Sequence, residues 1–392
     1  MTNATATSEK VHWTVQLFKL NYDHQELDAA TDVIQSGWIT MGERTVSLEE
    51  SFGEFLGKDL YCTATSSGTA ALHMALLAAG VGPGDEVIVP SLTFVADINV
   101  VRLVGARPVL ADCTSYDDWN ISPEGIAAAM TPRTKAVLVV HYAGYACDMD
   151  AIREAIQETS DGRMVYLIED AAHAPGADHR GLACGTIGDI GCFSFFTNKN
   201  LSVGEGGMFV TRSEELHEKG RYLRSHGMTT LTLDRHQGRS ASYDVIQPGL
   251  NYRMDEIRAA IGLVQLAKLP EANQQRMRLV KHYQGLLWDT PALHVPFCNY
   301  VLGRPSYHIF PVLLDASVDR AEVMAGLKEH GIQSSIHYPS FQGFTAFSHA
   351  GLSRTPIAAD ISHRELTLPL YPTMTFAQVE LVCSTLRQLV GG

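Results

Sequence analysis

The chain has little of what marks exported, membrane-bound or nucleic-acid-binding proteins. Its cysteines number seven in 392 residues, an odd count with no CxxC pair. That fits a reduced compartment better than a disulfide framework and gives no ground to expect a bound metal. No segment approaches the roughly 18 uninterrupted apolar residues of a membrane span, and the longest apolar runs, such as Ala136–Val140, are strand-sized. The opening MTNATATSEKVHW has no basic stretch followed by an apolar one, so no secretory signal is read there and a cytoplasmic protein is expected. Positive charge is also short: 30 lysines and arginines face 43 aspartates and glutamates, a formal net charge of −13. This argues against a general nucleic-acid or membrane-surface partner, while leaving room for an anionic small molecule held by a few basic groups.

What is present is an ordinary globular composition, 45% hydrophobic and 19% charged, on a chain long enough for a large core and more than one domain. From about Asp23 to Val264, short apolar strands alternate with helical stretches. Strands are predicted at Tyr61–Thr65, Glu86–Pro90, Arg107–Ala111, Ala136–His141, Met164–Glu169, Gly191–Phe196 and Gly207–Val210, with helical spacing over Ser122–Met130 and Met149–Glu158. Such alternation predicts an α/β fold with a mostly parallel sheet covered on both faces, whose ligands gather at the carboxyl ends of the strands. After about Pro270 the character changes to a helix, Glu271–Trp288, then a strand at Tyr307–Leu314, a helix at Arg320–His330, a strand at Ser334–His337 and a final helix at Phe376–Leu389. A large domain over residues 15–268 and a smaller α+β domain over 269–392 are expected. The polar stretch Thr229–Gln247 reads as an excursion loop that reaches another subunit or the active site.

Three rim positions carry chemistry. Ser67, Gly68 and Thr69 open an alanine-rich helix, where amides, hydroxyls and the helix end suit a phosphate, although a plain N-cap explains them equally. The buried run Met164–Ile168 ends on Glu169 and Asp170; Asp170 is read either as a helix cap or as a carboxylate aimed at a ligand. The strand Gly191–Phe196 then delivers Ser194 and, just past it, Lys199, ahead of the glycine-rich Gly204–Gly207. An acid at one strand end and a lysine beyond another are what pyridoxal 5'-phosphate requires. The amine condenses with the cofactor aldehyde, and the carboxylate keeps the ring nitrogen protonated so that the ring draws electrons. Phe94 is placed to stack on such a ring or to sit in the core, and His173 to approach the cofactor or to be a core histidine.

The stretches SSGTAALHMALLAAGVGPGDEVIVPSLTFVAD, EDAAHAPGA, FSFFTNKNLSVGEGGM, RSHGM and GLNYRMDEIRAAIGLVQL resemble the DegT/StrS family of nucleotide-sugar aminotransferases, in that family's order and across nearly the whole chain. The resemblance implies a fold-type I pyridoxal-phosphate transferase, a homodimer with shared active sites. It assigns Lys199 to the covalent cofactor link and proton transfer, Asp170 to the ring nitrogen, and His173 to the cofactor face or its phenolic oxygen. Ser194, Gly68 and Thr69 go to the phosphate and Phe94 to the ring stack. Asn251 goes to the phosphate in the neighbouring subunit, and His337 to the substrate. It implies L-glutamate as amino donor and a nucleotide-linked keto sugar as acceptor. Lys199 stands where the family's dehydratases carry histidine, which favours transamination. GEGGM, VHYAG and the excursion are similar to members that aminate C4, so a 4-keto (6-deoxy) sugar is expected ahead of a 3-keto sugar or keto-cyclitol. A non-catalytic regulatory member is the alternative of a different class. A desulfurase or lyase would need a reactive cysteine on an open loop, and none of the seven has that setting.

Overall fold

The computed structural model describes residues 12–230, 242–347 and 354–391; most of the expected excursion lies outside them. The strands are β1 (Tyr61–Thr65), β2 (Glu86–Pro90), β3 (Arg107–Ala111), β4 (Thr134–Val140), β5 (Tyr166–Asp170), a small hairpin of β6 (Asp178–His179) and β7 (Leu182–Ala183), β8 (Ile190–Ser194) and β9 (Gly207–Thr211). The main sheet has seven strands in the order β1-β9-β8-β5-β4-β2-β3. Its strands run parallel except β9, which pairs antiparallel with both β8 and β1. A parallel return would need a crossover, usually a helix, and residues 195–206 contain none. They form instead a loop at the carboxyl end of β8, and that loop carries Lys199.

Period-two alternation puts both faces of the sheet in apolar cores. Val87, Val89, Leu138 and Ile168 pack with the helices Gly68–Ala78 and Val95–Leu103. Ile88, Val137, Val139 and Leu167 pack on the other side with Pro123–Ala129 and Met149–Thr159. With helices sealing both faces, the open ground is the carboxyl rim.

A second sheet, β10 (Leu293–His294), β11 (Phe310–Leu314) and β12 (Glu365–Leu368), is antiparallel throughout. A helix of 32 residues, Glu256–Leu287, joins the two regions. Its early residues Ala259, Leu266 and Leu269 pack with Leu48 and Phe52, and its late residues Leu279, Val280, Tyr283 and Leu287 enter the second core. The helix predicted to start at Glu271 therefore starts at Glu256 and runs through Pro270, whose usual interior cost of about 3 kcal/mol is outweighed by packing on both sides. The division expected at 268/269 falls inside this helix, and Val15 belongs to the second core, where it bridges to Ile332. The strand predicted at Ser334–His337 is reduced to one bridge, Ser335 to Thr367, because the His337 N–H turns to the Glu365 side chain instead of a ladder partner.

The start of the long helix also holds another helix in place. The buried Glu256 carboxylate accepts from the N–H groups of Gly42, Arg44 and Thr45 (2.8, 2.7 and 2.9 Å) and from the Thr45 hydroxyl (2.7 Å), at the head of helix Glu43–Leu56. Glu256→Ala strands those buried donors, and a loss of about 3 kcal/mol is expected. Chemical denaturation would read it as a lower midpoint at unchanged slope.

Candidate active site

The rim gathers the sequence-predicted residues in one cavity of about 390 Å³, lined by Gly68, Thr69, Phe94, Asp170, His173, Ser194, Lys199 and His337. A larger hollow of about 1000 Å³ lies beside helix Glu43–Leu56 and β1 and contains neither Lys199 nor Asp170. Volume does not decide between them; the convergence of titratable and donor groups does.

One end of the cavity is built for an anion. Ser67 caps helix Gly68–Ala78, its hydroxyl accepting from the Ala70 N–H at 3.1 Å, so the free amides of the first turn face the rim beside Ser194. The approach is tight: a Cβ at Gly68 would stand 2.8 Å from the Ser194 Cβ, and one at Gly207 would stand 2.6 Å from the Ser67 carbonyl. Both glycines are required by contact. Gly68→Ala improves helix propensity yet pushes Ser194 out of line, and overpacking of this kind costs about 1–3 kcal/mol. Cofactor affinity is expected to fall roughly tenfold or more, together with a modest fall in unfolding temperature. Titration of the apoenzyme with cofactor checks this; unchanged affinity would remove the cradle.

Two neighbouring carboxylates at the end of β5 lead different lives. Glu169 points into the sheet, where burial alone would raise its pKa. His141 Nε2 at 2.8 Å and the N–H groups of Gly185 and Ile187, both at 2.7 Å, hold it ionised instead. Asp170 points at the cavity. Burial raises its pKa, opposed by the Ala172 N–H at 2.8 Å and by the Lys199 charge. Behind it lies Asp97, wholly buried, hydrogen-bonded by the Thr93 hydroxyl and pushed well up by burial and by the Asp170 charge. Asp97 therefore keeps the proton, and Asp170 carries the pair's negative charge.

Lys199 is half-buried, its N–H bonded to the Phe196 carbonyl at 2.8 Å. Burial lowers its amine to about 8, with Asp170 pulling the other way. At pH 7 roughly one such amine in ten is neutral, against fewer than about one in a thousand for a free lysine. The buried turn residue Asn200 pins this loop, donating to Ser306 O and Asn273 Oδ1 at 2.8 and 2.9 Å and accepting from His308.

His173 Nδ1 accepts from the Ala143 N–H at 3.3 Å, so in the neutral ring Nε2 carries the proton and donates to the Tyr338 hydroxyl at 2.9 Å. Burial, then Lys199, keeps the ring neutral. The Tyr338 proton is thus left to point into the cavity. Phe94 is 54% exposed and tilts against Tyr338 at 5.6 Å, an aromatic at the mouth, not in the core. Asn251 is exposed and absent from this cavity; it bridges to Ser225, one residue before Tyr252, whose carbonyl accepts from Ser66. Tyr338, Asp97, Thr367 and Glu365 escape the sequence reading. The one signal was Tyr338-Pro339 directly after His337, which adds a second polar ring at the same rim.

The profile of the DegT/DnrJ/EryC1/StrS aminotransferase family matches residues 21–387. The chain belongs to this family. The aminotransferase is 38% identical over 379 residues to the spore coat polysaccharide biosynthesis protein SpsC of Bacillus subtilis, covering 94% of this chain and 95% of that one. Among solved structures it is similar to the sugar aminotransferase Spr1654 of Streptococcus pneumoniae in its PMP-form, with a TM-score of 0.88, 28% identity and coverage of 95% and 98%. It is also similar to the aminotransferase TlmJ of Streptoalloteichus hindustanus, with a TM-score of 0.87, 34% identity and coverage of 97% and 99%. Spr1654 is also known in a PLP-form. The aminotransferase is thus a pyridoxal-phosphate enzyme of α/β fold, and its own residues fit the cofactor: a contact-tight anion cradle, an exposed ring at Phe94, a strand-end carboxylate and a desolvated lysine.

Proposed function

We propose that this enzyme moves an amino group from L-glutamate to a nucleotide-linked keto sugar, a 4-keto (6-deoxy) sugar ahead of a 3-keto sugar or keto-cyclitol, in the making of a surface glycan or related amino sugar. The observation that carries the chemistry is Lys199 beside Asp170 in one cavity with the phosphate cradle. The sugar reading draws support from the role of SpsC in spore coat polysaccharide biosynthesis, from GEGGM and VHYAG, and from hydroxyl-reading groups, Tyr338 and His337, at the same cavity.

Bound pyridoxal phosphate supplies an aldehyde carbon and an electron-withdrawing ring. Gly68, Thr69 and Ser194 hold its phosphate, Phe94 and His173 keep its plane, and Asp170 presents a negative charge to its ring nitrogen. Lys199 Nζ, kept partly neutral by burial, takes a proton from the donor's α-carbon and returns it on the other side of the reaction. Asn251, outside the cavity of its own chain, reaches the phosphate of a second copy in a homodimer. Mixed dimers of Lys199→Ala and Asn251→Ala chains would then regain part of the activity that each variant lacks; no recovery on mixing would refute the sharing.

The test follows the visible band of the bound cofactor as L-glutamate and then a panel of keto nucleotide sugars are added. Bleaching by glutamate, with recovery on one 4-keto sugar, is expected. Recovery only with a 3-keto sugar or cyclitol would overturn the position assigned, and no bleaching would overturn glutamate as donor.

A further inference from the structure

A line of hydrogen bonds runs from the cavity into the second core. His337 lines the cavity with Lys199; its Nδ1 lies 2.9 Å from the Thr367 hydroxyl, and that hydroxyl is hydrogen-bonded to Glu365 Oε1. The other carboxyl oxygen, Oε2, accepts from the His337 N–H at 2.8 Å, while the His337 carbonyl accepts from the Tyr142 hydroxyl. The ring is therefore held at both ends of its own residue, and Glu365 and Thr367 are 0% and 1% exposed. Among the described residues no ion pair holds the Glu365 carboxyl. Arg320 Nη1 goes to the backbone carbonyls of Ser362 and Glu365, at 2.8 and 2.9 Å.

We propose that Glu365, acting through the Thr367 hydroxyl, decides which ring nitrogen of His337 carries the proton, and so whether His337 meets the sugar as an acceptor or as a donor. This rests on the reading of the cavity as a keto-sugar site. The logic is that a hydroxyl has one proton. When Glu365 is a carboxylate, Thr367 donates to it and can only accept from His337, so Nδ1 carries the proton and Nε2 offers a lone pair to a sugar hydroxyl. When Glu365 is protonated the line turns round: the acid donates to Thr367, Thr367 donates to Nδ1, and Nε2–H is left to donate to a sugar oxygen. The ring itself stays neutral in both states, because burial and Lys199 lower its pKa to about 3. Glu365 does change state near neutrality: burial raises it to about 8, against the Thr367 and His337 bonds and the Arg320 charge. Tyr142 and Tyr338, which also face it, are pushed well up by burial and remain neutral. Glu365 and Thr367 are positioning residues; only His337 reaches the substrate.

The experiment reads the His337 tautomer directly, by nitrogen-15 NMR of histidine-labelled holoenzyme from about pH 6 to about pH 10, assigned with His337→Asn. A change from the Nε2–H to the Nδ1–H form with rising pH is expected. Glu365→Gln must place its oxygen on the His337 N–H and its amide nitrogen on Thr367, so it is expected to hold the Nε2–H form throughout. Thr367→Val should uncouple the tautomer from pH, and Thr367→Ser should restore it. In kinetics the sugar half-reaction of Glu365→Gln loses its alkaline inflection, while the glutamate half-reaction keeps its own. A fixed tautomer in the native enzyme, or a Glu365→Gln ring that still changes with pH because Lys199 drives it, would overturn the relay. The tautomer needs no sugar for its measurement, so a failed sugar panel with a normal titration would sink the substrate reading alone.

Discussion

Lys199→Ala is expected to abolish turnover while leaving the fold intact. The lysine does two jobs at one atom, holding the cofactor and carrying the proton. Positioned acid–base catalysis alone is worth roughly 10²–10⁴-fold, so the loss should exceed that range. Single-turnover mixing with glutamate separates the jobs: the variant should bind cofactor and donor and then stall before the proton moves. A small primary amine entering the space left by the side chain should return part of the rate. Turnover above about one hundredth of the native value would refute the assignment. The same variant reports on burial. The Lys199 amine is lowered from 10.5 to about 8 in the folded chain, so between about pH 8 and 10.5 the unfolded chain holds a proton that the folded one lacks. Native apoenzyme should therefore gain stability as pH rises across that window, and Lys199→Ala apoenzyme should lack that increment. Thermal unfolding of the two, taken as a difference, checks the sign.

How much of this was legible in the sequence follows from what each feature depends on. Val87, Ile88 and Val89, or Val137, Leu138 and Val139, are buried on both faces, and a continuous apolar run marks such strands plainly. Asp170 was legible because it stands where an apolar run stops, and Ser194 and Lys199 because they lie near the end of another run and just past it, which is where a sheet meets solvent. The sense of β9 was not read, although the polar, glycine-containing interval between Ser194 and Gly207 carries no helical spacing for a crossover. Glu365 and Thr367 were hidden by the same alternation that revealed other strands. In Glu365-Leu366-Thr367-Leu368 the polar members read as a solvent face, yet the fold covers both faces and puts that side against His337. Asp97 is harder still. A carboxyl in the first turn of a helix normally signals an exposed, charged N-terminus, and only the tertiary fold brings it behind Asp170 and makes it an acid.

That neighbour shapes what should happen when Asp170 is removed. Asp170→Ala takes away the charge facing the cofactor's ring nitrogen, in a setting where one preorganised electrostatic contact is worth about 2.7–4 kcal/mol, or roughly 10²–10³-fold in rate. Both half-reactions should fall by that amount, because the ring must draw electrons in each, and the cofactor should bind more weakly. The loss should stop short of that from Lys199→Ala for a further reason. Asp97 holds its proton because burial and the Asp170 charge disfavour its ionised form. With Asp170 gone, the second of those causes disappears, and Asp97 can take up part of the negative charge one layer back. Adding Asp97→Asn to Asp170→Ala should then cost more activity than Asp97→Asn costs in the native background, where that residue is already neutral. Rates of the four proteins close this cycle. Additive losses would mean that Asp97 is only a packed, neutral acid. Native rates in Asp170→Ala would mean that the strand-end carboxylate is a helix cap and nothing more.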